Sequence, residues 1–158
     1  FSSLAATIKK LGGMGVAGLV LFNRFFQLDF DIENLKVVPA HTLSSQADAA
    51  LPLRWIAIMA NRVGCDLAAS GGVHDGKGLV KMLLAGAKAV QVASALYRNG
   101  TGHVKTMLAE LREWMERRGY GSVEEFRGKM SQAASENPAV YERVQFMKYY
   151  GGGEWSLR

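Results

Sequence analysis

Three short stretches combine small and polar residues in ways that could hold a ligand. They are Phe22, Asn23 and Arg24; Ser70, Gly71 and Gly72; and Ala93, Ser94 and Ala95. Each ends an apolar run. The last two nearly lack side chains. Glycine lets a ligand approach the backbone, so that free N–H groups can donate to phosphate oxygens. A helix starting just after such a loop adds its positive dipole end. Each stretch also has a plain structural reading, a tight turn for Gly71–Gly72 and close helix packing for Ala93–Ser94–Ala95. Together, at the spacing of one strand–helix–strand unit, they point to phosphate. Asn23 offers two donors and an acceptor. It could read a planar heterocycle with both kinds of hydrogen bond, or cap the strand. Arg24 could pair with an anion, or with Asp29 or Asp31.

Other chemistries find less support. Asp75 reads as the N-cap of the next helix, and His74 as an exposed loop residue that could contact a phosphate or move a proton. His41 and His103 are isolated, and no pair of histidines has metal-ligand spacing, so no metal is expected. Neither a P-loop nor a Gly-x-Ser-x-Gly nucleophile motif occurs. The single cysteine, Cys65, excludes an internal disulfide and reads as a small apolar residue. The net charge of +5 over 158 residues comes without a Lys/Arg block or an interleaved aromatic stripe, which argues against a nucleic-acid partner. No apolar run reaches the ~18 residues of a membrane span. A cytoplasmic location is expected.

The elements that must position these stretches follow from periodicity. Leu4, Ile8 and Leu11 share one face of a first helix, with Ser2 or Ser3 as its cap and Gly12–Gly13 as its stop. Residues 16–22 form an apolar run of strand length. Residues 23–49, with Asp29, Asp31 and Glu33, read as a long irregular loop of the kind that often carries function. A helix over 51–63 has Pro52 in its first turn. Strands are expected at Asp66–Ser70 and at 89–92, with a helix over 79–85 stopped by Gly86 between them. A long helix over His103–Arg118 would bury Val104, Leu108, Leu111 and Met115. Ser122 and Glu125 form a capping box for a short helix over 123–129. The Gly-rich tail from Lys148 onward is expected to be loosely ordered.

Helix and strand therefore alternate, and the strands read as buried on both faces. The fold class is α/β, a parallel sheet or part of a barrel. In (β/α)8 barrels ligands sit at the C-terminal ends of the strands, and phosphate sites commonly use the loops after strands seven and eight. The Gly71 and Ser94 stretches fit those two positions.

The stretch from residue 66 to 100 resembles the C-terminal part of the dihydroorotate dehydrogenases, FMN enzymes on a TIM (β/α)8 barrel. The matching motifs are SGGV, HDGKG, MLLAGAKAVQV and ASAL. REWMERRGYGSVEEFRGK is similar to the family's final helices, FSSLAATIKKL to the helix after its fifth strand, and LVLFNRF to its sixth strand with its Asn. The resemblance covers about residues 1–130. It implies that Gly71, Gly72, Ala93 and Ser94 hold the FMN phosphate. Asn23, with Arg24 beside it, would face a dihydropyrimidine substrate, Phe22 would lie near the flavin, and Ser44–Ser45 would stand where a glycine pair touches the cofactor. The departures are Arg24 where the family has Ser or Thr, serines at 44 and 45, and Ala93 for a glycine. They leave the substrate open.

The family's catalytic Cys or Ser base, its flavin-contacting lysines and its first five strands would all precede Phe1. The chain then reads as the C-terminal half of such an enzyme, residues 1–130, followed by an extension over 131–158. Such a half exposes sheet edges and is expected to form a homo-oligomer. The alternatives are another flavin-dependent barrel oxidoreductase, or a phosphate-binding module without catalysis.

Overall fold

The structure, a computed structural model, describes residues 4–23, 27–40 and 42–141. Arg24, His41, the expected cap at Ser2 or Ser3 and the Gly-rich tail lie outside the described residues.

Helix α1 (Leu4–Gly12) leads into strand β1 (Gly18–Leu21). A hairpin of β2 (Leu28–Asp31) and β3 (Lys36–Pro39) follows, then a 3-10 turn over Gln46–Ala49 and helix α2 (Ala50–Met59). Strand β4 (Asp66–Ser70), helix α3 (Gly76–Ala85), strand β5 (Ala89–Gln91), and helices α4 (Ser94–Asn99) and α5 (His103–Arg118) complete the regular elements. The sheet runs β1–β4–β5, all parallel, so strands adjacent in space are successive βα units and the hairpin is an excursion between the first two. This is a partial barrel wall. Among the described residues no helix is long and apolar enough to cross a membrane.

Burial alternates along the strands, correcting the expectation of strands buried on both faces. Leu21, Leu67 and Ala69 are buried, whereas Val20 is 47% exposed. The pairing of Leu19 with Leu67, Leu21 with Ala69 and Ala69 with Val90 places these on the helix-covered face. Val20, Ala68 and Ala89 share the opposite face, with Ser70 and Gln91 two residues further along it. In a parallel barrel that second face is covered only by side chains from the strands opposite.

Ile56, Ala57 and Met59 of α2 and Met82 and Ala85 of α3 build the main core with the helix-facing strand residues. Phe126 is fully buried and anchors a second cluster with Val80, Leu83 and Leu111. Trp114 meets the Phe126 ring edge-on at 4.9 Å, and Tyr120 lies 5.4 Å from the same ring.

Several local expectations change. Helix α2 stops at Met59, short of the expected end at 63, and α3 starts at Gly76, ahead of the expected 79. Residues 23–49 are not wholly irregular, since β2 and β3 pair antiparallel, with Phe30 opposite Val37 and Asp31 opposite Lys36. Helix α4 occupies residues read only as a ligand loop. The buried stripe of α5 is Met107 and Leu111, while Val104 and Leu108 are exposed, so the helix is rotated relative to its apolar spacing. Residues 123–129 form successive turns in place of a helix, although the Ser122 hydroxyl does reach Glu125 at 3.2 Å. The Gly128 and Met130 N–H groups bond the carbonyls of Leu83 and Leu84 instead, and this long-range tie outcompetes the local turn of helix.

Candidate functional site

The C-terminal ends of β1, β4 and β5 open side by side. Phe22 N–H donates to the Ser70 carbonyl at 3.4 Å, carrying the β1–β4 ladder one step past β1. A pocket of about 410 Å3 lies across these ends, lined by Phe22, Asn23, Ser44, Ser70, Gly71, Gly72, Val73, Gln91, Val92, Ala93 and Ser94. A second pocket, of about 290 Å3, shares Phe22, Asn23, Ser44, Ser70 and Gly71 with it. A larger groove of about 850 Å3 runs over α3 and α5, lined by Lys77, Lys81, Glu110, Glu113, Trp114 and Arg117 among others. It lies on the outer helices, touches the β4–α3 turn only at Asp75 and Gly76, and shares no lining residue with the two pockets at the strand ends, where ligands bind in parallel α/β folds.

The two glycines differ. Both have left-handed backbone, φ +95° at Gly71 and +73° at Gly72. A Cβ at Gly71 would meet nothing within 4 Å, so that wall is open to a ligand. A Cβ at Gly72 would collide with the backbone N of Ala49. The space beside Gly72 is filled by the 3-10 turn, and its glycine serves chain packing.

Just beyond them, Asp75 caps α3 as expected, accepting the Gly78 N–H at 2.7 Å. Glu110 reaches across from α5 to accept the Gly76 N–H. His103 Nε2, facing a carbonyl, donates to the His74 backbone oxygen at 2.8 Å. His74 is half-buried rather than exposed.

The serines also part company. Ser44 is 5% exposed; its N–H donates to the Ser94 hydroxyl oxygen at 2.9 Å, and its own hydroxyl lies 3.2 Å from His74 Nε2. Ser45 is exposed and turns to Asp48, with its N–H at 2.7 Å and its hydroxyl at 3.1 Å from one carboxylate oxygen, which holds the 3-10 turn. Ser45 lines neither strand-end pocket, and Ala93 and Ser94 line only the larger of the two. Ser44, His74 and Ser94 are far apart in sequence and no spacing rule links them. Only the buried polar character of Ser44, visible in three dimensions, marks the cluster.

The dihydroorotate dehydrogenase family profile matches residues 2–115. The chain belongs to this family. The dihydropyrimidine dehydrogenase (NADP(+)) of Arabidopsis thaliana chloroplasts is 40% identical over 62 residues, 39% of this chain and 15% of that protein. The catalytic subunit of dihydroorotate dehydrogenase B (NAD(+)) from Thermoplasma volcanium is 29% identical over 112 residues, 69% of this chain and 37% of that protein. Among solved structures, dihydroorotate dehydrogenase from Eimeria tenella in complex with ferulenol superposes with a TM-score of 0.64 at 22% identity, over 78% of this chain and 33% of that one. The chain thus spans well under half the length of the relatives it matches. Its parallel sheet is a segment of the dihydroorotate dehydrogenase barrel.

Proposed function

We propose that this chain supplies the phosphate-binding wall and part of the substrate wall of an FMN-dependent oxidoreductase acting on a 5,6-dihydropyrimidine. The observation that carries this reading is the strand-end pocket, lined by Gly71, with open space where a Cβ would stand, and by Ser94. A cradle without a Cβ at Gly71, flanked by hydroxyls, fits a phosphate group. Gly71, Gly72, Ala93 and Ser94, which all line this pocket, would hold the phosphate of FMN, and Phe22 would lie toward the ring system. Asn23 is exposed at the pocket mouth, where its carboxamide can hydrogen-bond the imide and carbonyl edge of a pyrimidine. Arg24, next to it in sequence, is assigned to the substrate as well. FMN held there would supply a hydride acceptor for the substrate. The protein's role is to orient the two rings and exclude water.

A base for the accompanying proton would come from the rest of the barrel, as would the cover for Val20 and the inner sheet face. In this reading residues 1–130 form the barrel part and 131–158 an extension. The protein works in the cytoplasm and has no nucleic-acid or membrane partner. The substrate is dihydroorotate, or an uncarboxylated dihydropyrimidine. The family profile and the dihydroorotate dehydrogenase relatives support the first, and the match to a dihydropyrimidine dehydrogenase supports the second.

The test is anaerobic bleaching of the flavin in the full protein by dihydroorotate and by dihydrouracil. Bleaching by one identifies the substrate; bleaching by neither removes the reading. Gly71→Asp, which sets bulk and negative charge in the cradle, is expected to abolish flavin retention. If the chain is produced by itself, its uncovered sheet edges are expected to drive self-association. A strictly monomeric elution from a calibrated sizing column would contradict that.

A further inference from the structure

We propose that His74 is a positioning residue for the phosphate end of the ligand, acting through Ser44 on the hydroxyl protons that face the pocket. The inference rests on the strand-end pocket being an anion site.

The polarity of the cluster is set by its fixed donors. The Ser44 N–H donates to the Ser94 hydroxyl oxygen at 2.9 Å. One lone pair of Ser94 is therefore used, and its proton is left to donate elsewhere, with the pocket it lines in reach. Ser44 lines the same pocket, and its hydroxyl oxygen sits 3.2 Å from His74 Nε2. A hydroxyl beside an imidazole nitrogen has two arrangements. With the proton on Nε2, His74 donates to Ser44, and the Ser44 proton is free to donate to an anion. With Nε2 bare, Ser44 spends its proton on His74 and turns a lone pair outward, which repels an anion. His74 is held for this choice from behind, because His103 Nε2 donates to its backbone oxygen at 2.8 Å. Ser44 is buried, so water offers its hydroxyl little substitute for the imidazole. An anion in the pocket therefore selects the Nε2-protonated form of His74, and both serines then turn hydroxyl protons toward it.

Three measurements on the full protein test this. First, FMN and riboflavin, which differ only by the phosphate, are titrated against the wild type, Ser44→Ala, His74→Ala and His74→Gln. Ser44→Ala is expected to weaken FMN about tenfold, the loss of one hydrogen bond to a charged group, and His74→Ala to weaken it less, about threefold, because Ser44 keeps its proton but loses its orientation; both are expected to leave riboflavin within about twofold. His74→Gln, whose Nε2 can stand where the imidazole Nε2 stood, is expected to recover most of the FMN affinity. Equal losses for both flavins would mean a merely structural role and overturn the proposal, as would no loss for either. Second, the 15N spectrum of histidine-labelled protein is followed as inorganic phosphate is added. The His74 Nε2 signal, assigned by its absence in His74→Gln, is expected to move to the protonated position. A signal that stays put counts against the mechanism.

Third, inorganic phosphate is expected to raise the unfolding temperature of the wild type more than that of His74→Ala. Equal shifts, or no shift in the wild type, would overturn the inference. If the wild type binds neither flavin but responds to phosphate in this way, the flavin reading fails while the positioning role stands.

Discussion

The chain leaves β1 and β4 at neighbouring points of one sheet, yet in opposite ways. After β4 it turns at once into α3, and nearly every step of the turn is tied to a distant element. Gly72 backs onto the turn at Ala49, the His74 carbonyl is held by His103 and the Gly76 N–H by Glu110. After β1 it runs out through a hairpin whose bonds are mostly its own, and Leu28, Phe30, Ile32, Leu35 and Val37 are all exposed. It returns only at Ser44 and the following 3-10 turn, to close the pocket that the β4 loop opens. A loop built of small residues can be the more constrained of the two, because its precision comes from what packs against it.

The largest expected effect contrasts the two adjacent glycines. Gly72→Ala drives a methyl into the Ala49 backbone as well as forcing a left-handed alanine, and should cost about 3 kcal/mol or more by chemical denaturation. Gly71→Ala carries only the backbone strain, about 1 kcal/mol, but should weaken FMN. Equal destabilisation by the two would break the distinction between a packing glycine and a ligand-facing one.

Next in size is the tie from α5. Glu110→Ala removes the acceptor at the first N–H of α3 and should cost about 1 kcal/mol. Phe30→Ser, at a side chain 64% exposed on the hairpin, should change stability by less than about 0.5 kcal/mol. A cost above about 1.5 kcal/mol for Phe30→Ser would mean that another surface covers the hairpin in the full protein.

This contrast also explains what could be read from the sequence. Around β4 and α3 the local signals agree with the packing. The β4 limits, the Asp75 cap, the Gly86 stop at φ +115° and the α5 limits all match. The hairpin was masked by its charges, although Leu28, Asp29, Phe30, Asp31 and Ile32 do alternate with the period of a strand. The α5 stripe is not legible in the sequence, because Val104 and Leu108 satisfy the helical spacing equally well and only the docking of α5 on α3 selects Met107. The Ser44–His74–Ser94 cluster has no signal at all, since it joins two loops and the first residue of α4 through tertiary contact alone.

The smallest effect sharpens the hairpin side. Asp31 organises the turn between β2 and β3. It accepts the N–H groups of Glu33 and Asn34 at 3.1 Å and the Asn34 side chain at 2.8 Å. The Asn34 side-chain bond, ahead of the backbone bonds, holds the Asp31 carboxyl below its ordinary value. A folded-state pKa below the unfolded one favours the folded turn above the unfolded value, and that contribution is lost as pH falls through the folded one. Acid should therefore loosen the hairpin turn, with little effect on the β4 loop if the two regions are as independent as their hydrogen bonds imply. Asn34→Ala should raise the Asp31 pKa toward the ordinary carboxylate value in an NMR titration while leaving FMN affinity unchanged. A parallel fall in FMN affinity would show that the hairpin turn and the phosphate pocket are coupled after all.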